Sequence, residues 1–372
     1  MNHLAATLIT FGVFALMIAL LVYLIMRTAS LLDCRLLWPA IVLTLLFAAG
    51  MAGMFLTASP STANLAGHLL VTLGSNTMGV LLILVCSYVV VDLAGLITPI
   101  PRTTRLAIAA VLTLTVAAYA FANAAHVRVR HVHVTAANVA SPKRIVQLTD
   151  LHLGHNRGVR HLRRVVDKVE AEKPDIVVIT GDLFDSHYRF DSTTLEPLKS
   201  LSMPVFFIAG NHDGYIGVER VKRLVRATGN IRVLSNELVV ADSLQIIGLD
   251  NMPADSADHS SFNKKPTHSP NIASVLATMP FDRTLPTIVL HHIPTGARYV
   301  EAAGADLYLC GHTHGGQFPP VTWLDNVMFE YNRGLHKRDS LYVYVSTGTG
   351  CTGPQMRLGT HAEIAVIDLL PE

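Results

Sequence analysis

The stretch PVFFIAGNHD, residues 204–213, is a run of mostly apolar residues that ends in Gly210, Asn211, His212 and Asp213. A short apolar run bounded by a glycine turn reads as a buried strand with its polar residues at the C-terminal tip. The same form occurs twice upstream. Residues 144–149, RIVQLT, run into Asp150-Leu151-His152, and residues 175–180, DIVVIT, run into Gly181-Asp182. Between these two, Val159, Leu162, Val165, Val166 and Val169 recur at helical spacing until Lys173-Pro174 ends the pattern, and a further helix is expected over residues 218–227. Strand, polar tip and helix in repetition predict an α/β domain whose ligands gather outside the C-terminal ends of the strands.

Downstream the chain is richer in strand patterns, with candidates at residues 244–249, 287–291, 306–310, 341–346 and 363–369. A second sheet packed on the first would accommodate them. Residues 252–270, rich in Asp, Ser, Asn, Lys and Pro, read as a surface loop near the site mouth. Two of the late strands also end in polar clusters, His291-His292 and Gly311-His312-Thr313-His314. In Asp-x-His and His-x-His, residues two apart point to the same side of an extended segment, so both can face one ion. Oxygen and imidazole nitrogen without thiolate favour manganese, iron or zinc over copper(I) or a cysteine-type zinc site.

The five clusters, Asp-Leu-His from Asp150, GDLFD from Gly181 to Asp185, GNHD from Gly210, His292-Ile293-Pro294 and GHTHGG from Gly311, resemble in type and order the motifs of the calcineurin-like metallophosphoesterases. The segment GTGCTGPQMRLG, residues 348–359, together with GHTHGGQ, looks like the membrane-anchored bacterial branch. The resemblance implies a two-sheet α/β sandwich and a pair of divalent ions. Asp150, His152 and His314 would hold one, Asn211, His292 and His312 the other, and Asp182 would bridge them. His292 is preferred to His291 because Pro294 follows it at the family's spacing. His212 would be the proton donor or oxyanion stabiliser, with Asp213 holding its ring, and Asp185 would hydrogen-bond behind the ligands. Arg357 is a candidate for contact with a substrate phosphate, or else for a surface salt bridge.

Over the whole chain 51% of residues are hydrophobic, and the excess lies before residue 126, where charges are scarce. Four stretches there, residues 4–26, 36–56, 69–91 and 106–124, are long and apolar enough to cross a bilayer as helices. The third has two registers, the alternative being residues 78–96, which brings in Asp92. The first has no basic residue ahead of it and is followed by three more, so it reads as a retained helix and not a signal peptide. Asp92 and His68 fall near span ends and read as interfacial residues reaching water. Arg27 and Arg35 flank the first loop and Arg102 and Arg105 the third, whereas the second, ASPSTANLAGH, is uncharged. Excess positive charge faces the cytoplasm, which predicts both termini on the opposite side of a bacterial inner or cell membrane.

The expected organisation is a transmembrane anchor over residues 1–125, a linker and edge strand over 126–142, and the metallophosphoesterase domain over 143–372. Residues 126–134 read as valine alternating with polar residues, a half-buried edge strand whose three histidines are solvated and lack a carboxylate partner. A net charge of +2 and the absence of a basic stripe give no nucleic-acid signature. Cys34, Cys86, Cys310 and Cys351 lack the spacing of a zinc set or a disulfide framework. The function expected is hydrolysis of a phosphate monoester or diester, with lipid or envelope-derived esters as substrates. The alternative is a noncatalytic metal-binding module that recruits partners.

Overall fold

The computed structural model describes residues 3–256 and 270–372. Of the loop expected over 252–270, residues 257–269 lie outside the described residues. The chain forms two compact units. One comprises Met1–Thr57, Asn64–Asn123 and Gly353–Met356, the other Ala58–Ala63, Ala124–Thr352 and Arg357–Glu372.

The first unit is built on helices α1 (His3–Leu32), α2 (Leu37–Phe55), α3 (Leu65–Ile97) and α4 (Arg102–Ala125). All four are long and apolar enough to cross a membrane. The chain is membrane-associated through these helices. At 33 residues, α3 contains both expected registers of the third span. Its start is set by Asn64, whose side chain accepts from the Gly67 N–H and so satisfies one of the donors exposed at a helix N-terminus. Helices α2 and α3 pack closely because small residues face each other: a Cβ on Gly74 would lie 2.2 Å from the Ala49 carbonyl oxygen.

Asp92 corrects the expectation of a residue that simply reaches water. Its carboxylate is paired with Arg27 of α1 and accepts from the Tyr23 hydroxyl at 2.9 Å, so the charge inside α3 is neutralised by a neighbouring helix. His68 sits in the first turn of α3 beside Thr72 Oγ1, 3.4 Å away. Asp33 and Arg102 form an ion pair at 2.9 Å, which brings the first loop to the start of α4 and puts the two arginine-bearing loops together. Residues 353–356 lie along α3, where the Gln355 N–H donates to Asn76 Oδ1 at 2.8 Å.

The second unit contains two six-stranded sheets. The first has the order β1 (Val127–Ala136), β12 (Ala362–Pro371), β2 (Lys143–Leu148), β3 (Ile176–Thr180), β4 (Val205–Ile208), β5 (Ile231–Val233). The second has the order β10 (Gly334–Arg338), β11 (Leu341–Val345), β9 (Leu307–Cys310), β8 (Thr287–Leu290), β7 (Leu244–Gly248), β6 (Glu237–Ala241). Alternation places Ile176 and Val178 in the core between the sheets, with Ile246, Ile288 and Leu309 from the other side. Val177 and Ile179 point the opposite way, onto α5 (Val159–Ala171) and α7 (Val218–Arg226). A third core buries the outer face of the second sheet beneath α8 (Ile272–Leu276) and α9 (Ala297–Ala303). Helices α6 (Asn211–Tyr215) and α10 (Val321–Met328) complete the unit.

The last strand does not join the second sheet, as its place in the chain suggested. β12 inserts between β1 and β2, parallel to the former and antiparallel to the latter. Its residues are buried on both faces from Ala362 to Ile367, as befits an interior strand. β1 is the expected edge strand, but its alternation is not continuous. Arg130 and His131 are consecutive polar residues, and they shift the phase: Val127 joins the helix-covered core, while Val132 and Val134 join the core between the sheets. Nor do its histidines lack carboxylates, since His131 lies 3.3 Å from Glu172 and His133 lies 3.6 Å from Asp368. In both pairs the imidazole is exposed and the carboxylate half-buried. Cys310 and Cys351 are buried and are not joined in a disulfide.

Candidate metal centre

Each polar cluster leaves the C-terminal end of a strand, and three of the five do so through strained backbone. Asp150, His152, Asp182, His312 and His314 have φ of 51°, 47°, 52°, 74° and 53°. Non-glycine residues seldom adopt this left-handed conformation, and its concentration at strand tips marks a site whose geometry the surrounding fold imposes. Gly210 supplies the close approach that the packing requires, because a Cβ there would fall 2.1 Å from Asp182 Oδ1.

Two groups of donor atoms result. In the first, His152 Nε2 lies 3.1 Å from His314 Nε2 and 3.7 Å from Asp150 Oδ1, which is 3.5 Å from His314 Nε2. In the second, His292 Nε2 lies 3.1 Å from Asp182 Oδ2, and His312 Nδ1 lies 2.9 Å from Asn211 Oδ1. Asp182 faces both groups, since the same Oδ2 is 3.8 Å from His152 Nε2. The Asp150, His152 and His314 atoms, and likewise those of Asp182, His292 and His312, all lie within 4.8 Å of one another.

A cation fits this donor set. His292 Nδ1 faces the Thr180 carbonyl at 2.8 Å, so it carries a proton and turns the buried Nε2 toward Asp182, where an ion or a proton is needed between the two atoms. Burial works against charge on Asp150, yet His314, His152 and His292 hold its carboxyl well below the usual range. Burial likewise opposes charge on Asp182, and His292 and His212 overcome it. Among the imidazoles, burial pushes His312 down to about 3 and His212 to about 4, while Asp182 outweighs burial at His292 and draws it up to about 9. Anionic carboxylates thus face two imidazoles that burial keeps neutral, His312 and His314, and two, His152 and His292, that the carboxylates draw toward the charged form, so the cluster is short of positive charge. That is what a borderline divalent ion supplies.

The remaining expected residues divide. His291 is separated from His292 by its contacts: Nδ1 lies 2.7 Å from the Ile293 carbonyl and Nε2 accepts from the Met252 N–H at 3.4 Å, so both nitrogens are used by the backbone. His212 is at the open side of the cluster, its ring centroid 4.7 Å from that of His152, and its backbone N–H donates to Asp182 Oδ1 at 2.8 Å. Asp213 does not hold the His212 ring. Its carboxylate accepts from the N–H groups of Leu183, Phe184 and Gly210 at 3.1, 3.1 and 2.9 Å, which ties the tip of β3 to the tip of β4. Asp185 Oδ2 stands 3.9 Å from His152 Nδ1, behind the ligand.

Arg357 has neither of the surroundings foreseen for it. It is fully buried, and its guanidinium donates to the carbonyls of Thr347, Gly350 and His361 at 2.6, 2.7 and 2.9 Å. It also lies 3.1 Å from His314 Nδ1. Its donors brace the loop under a metal-ligand candidate and do not face an incoming phosphate. Two contributors have weak sequence signals. Tyr215 Oη accepts from Asn211 Nδ2 at 3.2 Å, which turns the amide oxygen toward His312, and its position four residues after Asn211 is the only hint. Thr149 Oγ1 donates to Asp150 Oδ2 at 2.8 Å.

Residues 143–316 match the calcineurin-like phosphoesterase family profile. An uncharacterized metallophosphoesterase of Campylobacter jejuni is 30% identical over 244 residues, 65% of this chain and 63% of that protein. A transmembrane protein with a metallophosphoesterase domain from Danio rerio is 32% identical over 279 residues, covering 70% and 62% of the two chains. An uncharacterized metallophosphoesterase of Aquifex aeolicus is 31% identical over 233 residues, 61% of this chain and 84% of that protein. The chain thus spans less than two thirds of the length of the first two.

Proposed function

The chain belongs to the calcineurin-like metallophosphoesterase family, and we propose that it is a membrane-anchored hydrolase of phosphate monoesters or diesters that works with two divalent ions, manganese, iron or zinc. Asp150, His152 and His314 bind one ion, Asn211, His292 and His312 the other, and Asp182 both. The observation that carries this reading is Asp182, whose single Oδ2 faces His152 of one group and His292 of the other.

Ions bound there supply Lewis acidity toward the phosphoryl oxygens and toward the attacking water. The protein's own part is to hold the substrate and manage the proton. Thr180, through its carbonyl, keeps the His292 proton on the nitrogen away from the ions. Asp213 locks the loops that carry Asp182 and His212 to each other. His212, on the open side, gives a hydrogen bond or a proton to the leaving oxygen.

The catalytic domain lies outside the cytoplasm of a bacterial inner membrane. The Asp33 to Arg102 ion pair supports the pairing of the two basic loops on the cytoplasmic side. The uncharged second loop supports the rest, because its Thr62 Oγ1 is 3.3 Å from His155 Nε2 of the catalytic unit. The substrates are phospholipid head groups or phosphorylated envelope polymers. Hydrolysis of bis-p-nitrophenyl phosphate and of a monoester panel by the purified full chain with manganese tests the activity, with Asp182→Asn as control. No turnover in a correctly metallated protein overturns it. A reporter at Glu372 that is active only in the cytoplasm overturns the orientation.

A further inference from the structure

Helix α10 has its polar and apolar faces reversed. Its charged residue, Asp325, and its threonine, Thr322, are buried, while Val321, Trp323, Leu324, Val327 and Met328 are exposed, Trp323 by 67% and Val327 by 86%. A helix of a water-soluble surface turns the opposite way, with its apolar stripe against the core. The inversion is firmly held. The Asp325 carboxylate meets the backbone N–H of Gly316, and the Asn332 side chain donates to Asn326 Oδ1 at 2.8 Å. An apolar face this large and contiguous requires a partner.

The chain itself supplies one. Helix α4 ends at Ala125 and β1 starts at Val127, so a single residue separates the last membrane-crossing helix from the catalytic unit. A bilayer surface is therefore always within reach of this unit. The exposed set contains a tryptophan, the side chain most at home at the boundary between head groups and acyl chains, and the helix exposes no charge to oppose insertion. We infer that α10 is a membrane-docking helix, which lies in the interface plane and inserts Trp323, Leu324, Val327 and Met328 among the lipids. Docking reaches the metal centre through short connections. Thr313, between two ligand candidates, donates through Oγ1 to the Asn332 carbonyl at 2.6 Å, and the Phe329 ring that follows α10 lies 5.7 Å from the His312 ring. Insertion would turn that edge of the site toward the head-group layer.

The test uses the full chain in phosphatidylcholine proteoliposomes. The protein has two tryptophans, Trp38 and Trp323, so Trp38→Phe leaves Trp323 as the only reporter. Lipids brominated near the head-group end of the acyl chains are expected to quench its emission roughly twofold or more, as for a side chain seated at the acyl boundary. Leu324→Asp with Val327→Asp in the same background is expected to remove that quenching, while retained hydrolysis of a soluble ester shows that the variant folds. Emission insensitive to brominated lipid and quenched by aqueous acrylamide overturns the inference. So does emission that is shielded from both quenchers and becomes acrylamide-sensitive on dilution of the protein in the vesicles, which would assign the face to a second copy.

Discussion

His292 and Asp182 face each other at 3.1 Å, from Nε2 to Oδ2, while the other ring nitrogen of His292 is held by the Thr180 carbonyl at 2.8 Å. The carbonyl keeps a proton on that nitrogen and turns Nε2 toward the carboxylate. Two electron-rich atoms at that distance are stable together only with a cation or a proton between them.

Removing the charge that both groups share separates binding from catalysis. Asp182→Asn is expected to lower bound metal, read by elemental analysis, and to reduce turnover by roughly two to three orders of magnitude. His212→Ala is expected to keep the metal content and lose about 10²-fold or more in turnover, as for a general acid or hydrogen-bond donor. Full activity of the His212 variant on an alkyl phosphate ester would remove His212 from the mechanism.

The adjacent histidines should behave differently. His292→Ala loses metal at one site. His291→Ala keeps the metal stoichiometry but destabilises the fold by about 1–3 kcal/mol, because the buried Ile293 carbonyl and Met252 N–H lose their partner. Parallel metal titration and denaturant unfolding distinguish the two, and equal metal loss in both would contradict the assignment of His292.

Arg357→Lys tests whether the buried guanidinium braces the site or meets substrate. A lysine cannot serve the carbonyls of Thr347, Gly350 and His361 together, and orphaned carbonyls should cost about 2 kcal/mol or more. Lower thermal stability with KM for a soluble ester near the parent value is the expected result. A large rise in KM at unchanged stability would restore the substrate role.

His161 predicts an acid sensitivity away from the metal centre. Burial, and then the charges of Arg157 and Arg164, push its imidazole well below the ordinary 6.5. The folded state resists a proton that the unfolded chain accepts. Stability from this group is complete above pH 6.5 and falls as pH drops below it, by up to about 1.4 kcal/mol per pH unit. Urea unfolding between pH 7 and about 5 should show the slope. His161→Leu should flatten it, and an unchanged slope would place the titration elsewhere.

Much of the fold was legible because its signals are local. The strands that carry the clusters are short apolar runs between turn residues, and their observed limits lie within one or two residues of those expected. The strands missed, β5, β6 and β10, are short or half-exposed: Ile231–Val233 has three residues, and Gly334–Arg338 reads GLHKR. β12 was recognised as a strand, yet its sheet was not, because pairing depends on which edge is open once the rest has folded. Arg130-His131 shows the same limit, since a break in alternation tells that the facing changes but not which core receives each half.

By itself the sequence determined the chemistry: the order of Asp, His and Asn at strand ends, the absence of thiolate ligands, and the four apolar segments. Those are properties of residue type and spacing, which the chain carries without folding. Only the tertiary structure decided which histidine of the 291–292 pair meets Asp182, that Asp213 fastens two loops instead of a ring, that Arg357 is buried, and that α10 turns its apolar face outward. Each of these depends on what stands opposite a side chain across sheets and loops far apart in sequence, and burial and hydrogen-bond partners exist only after the chain has closed on itself.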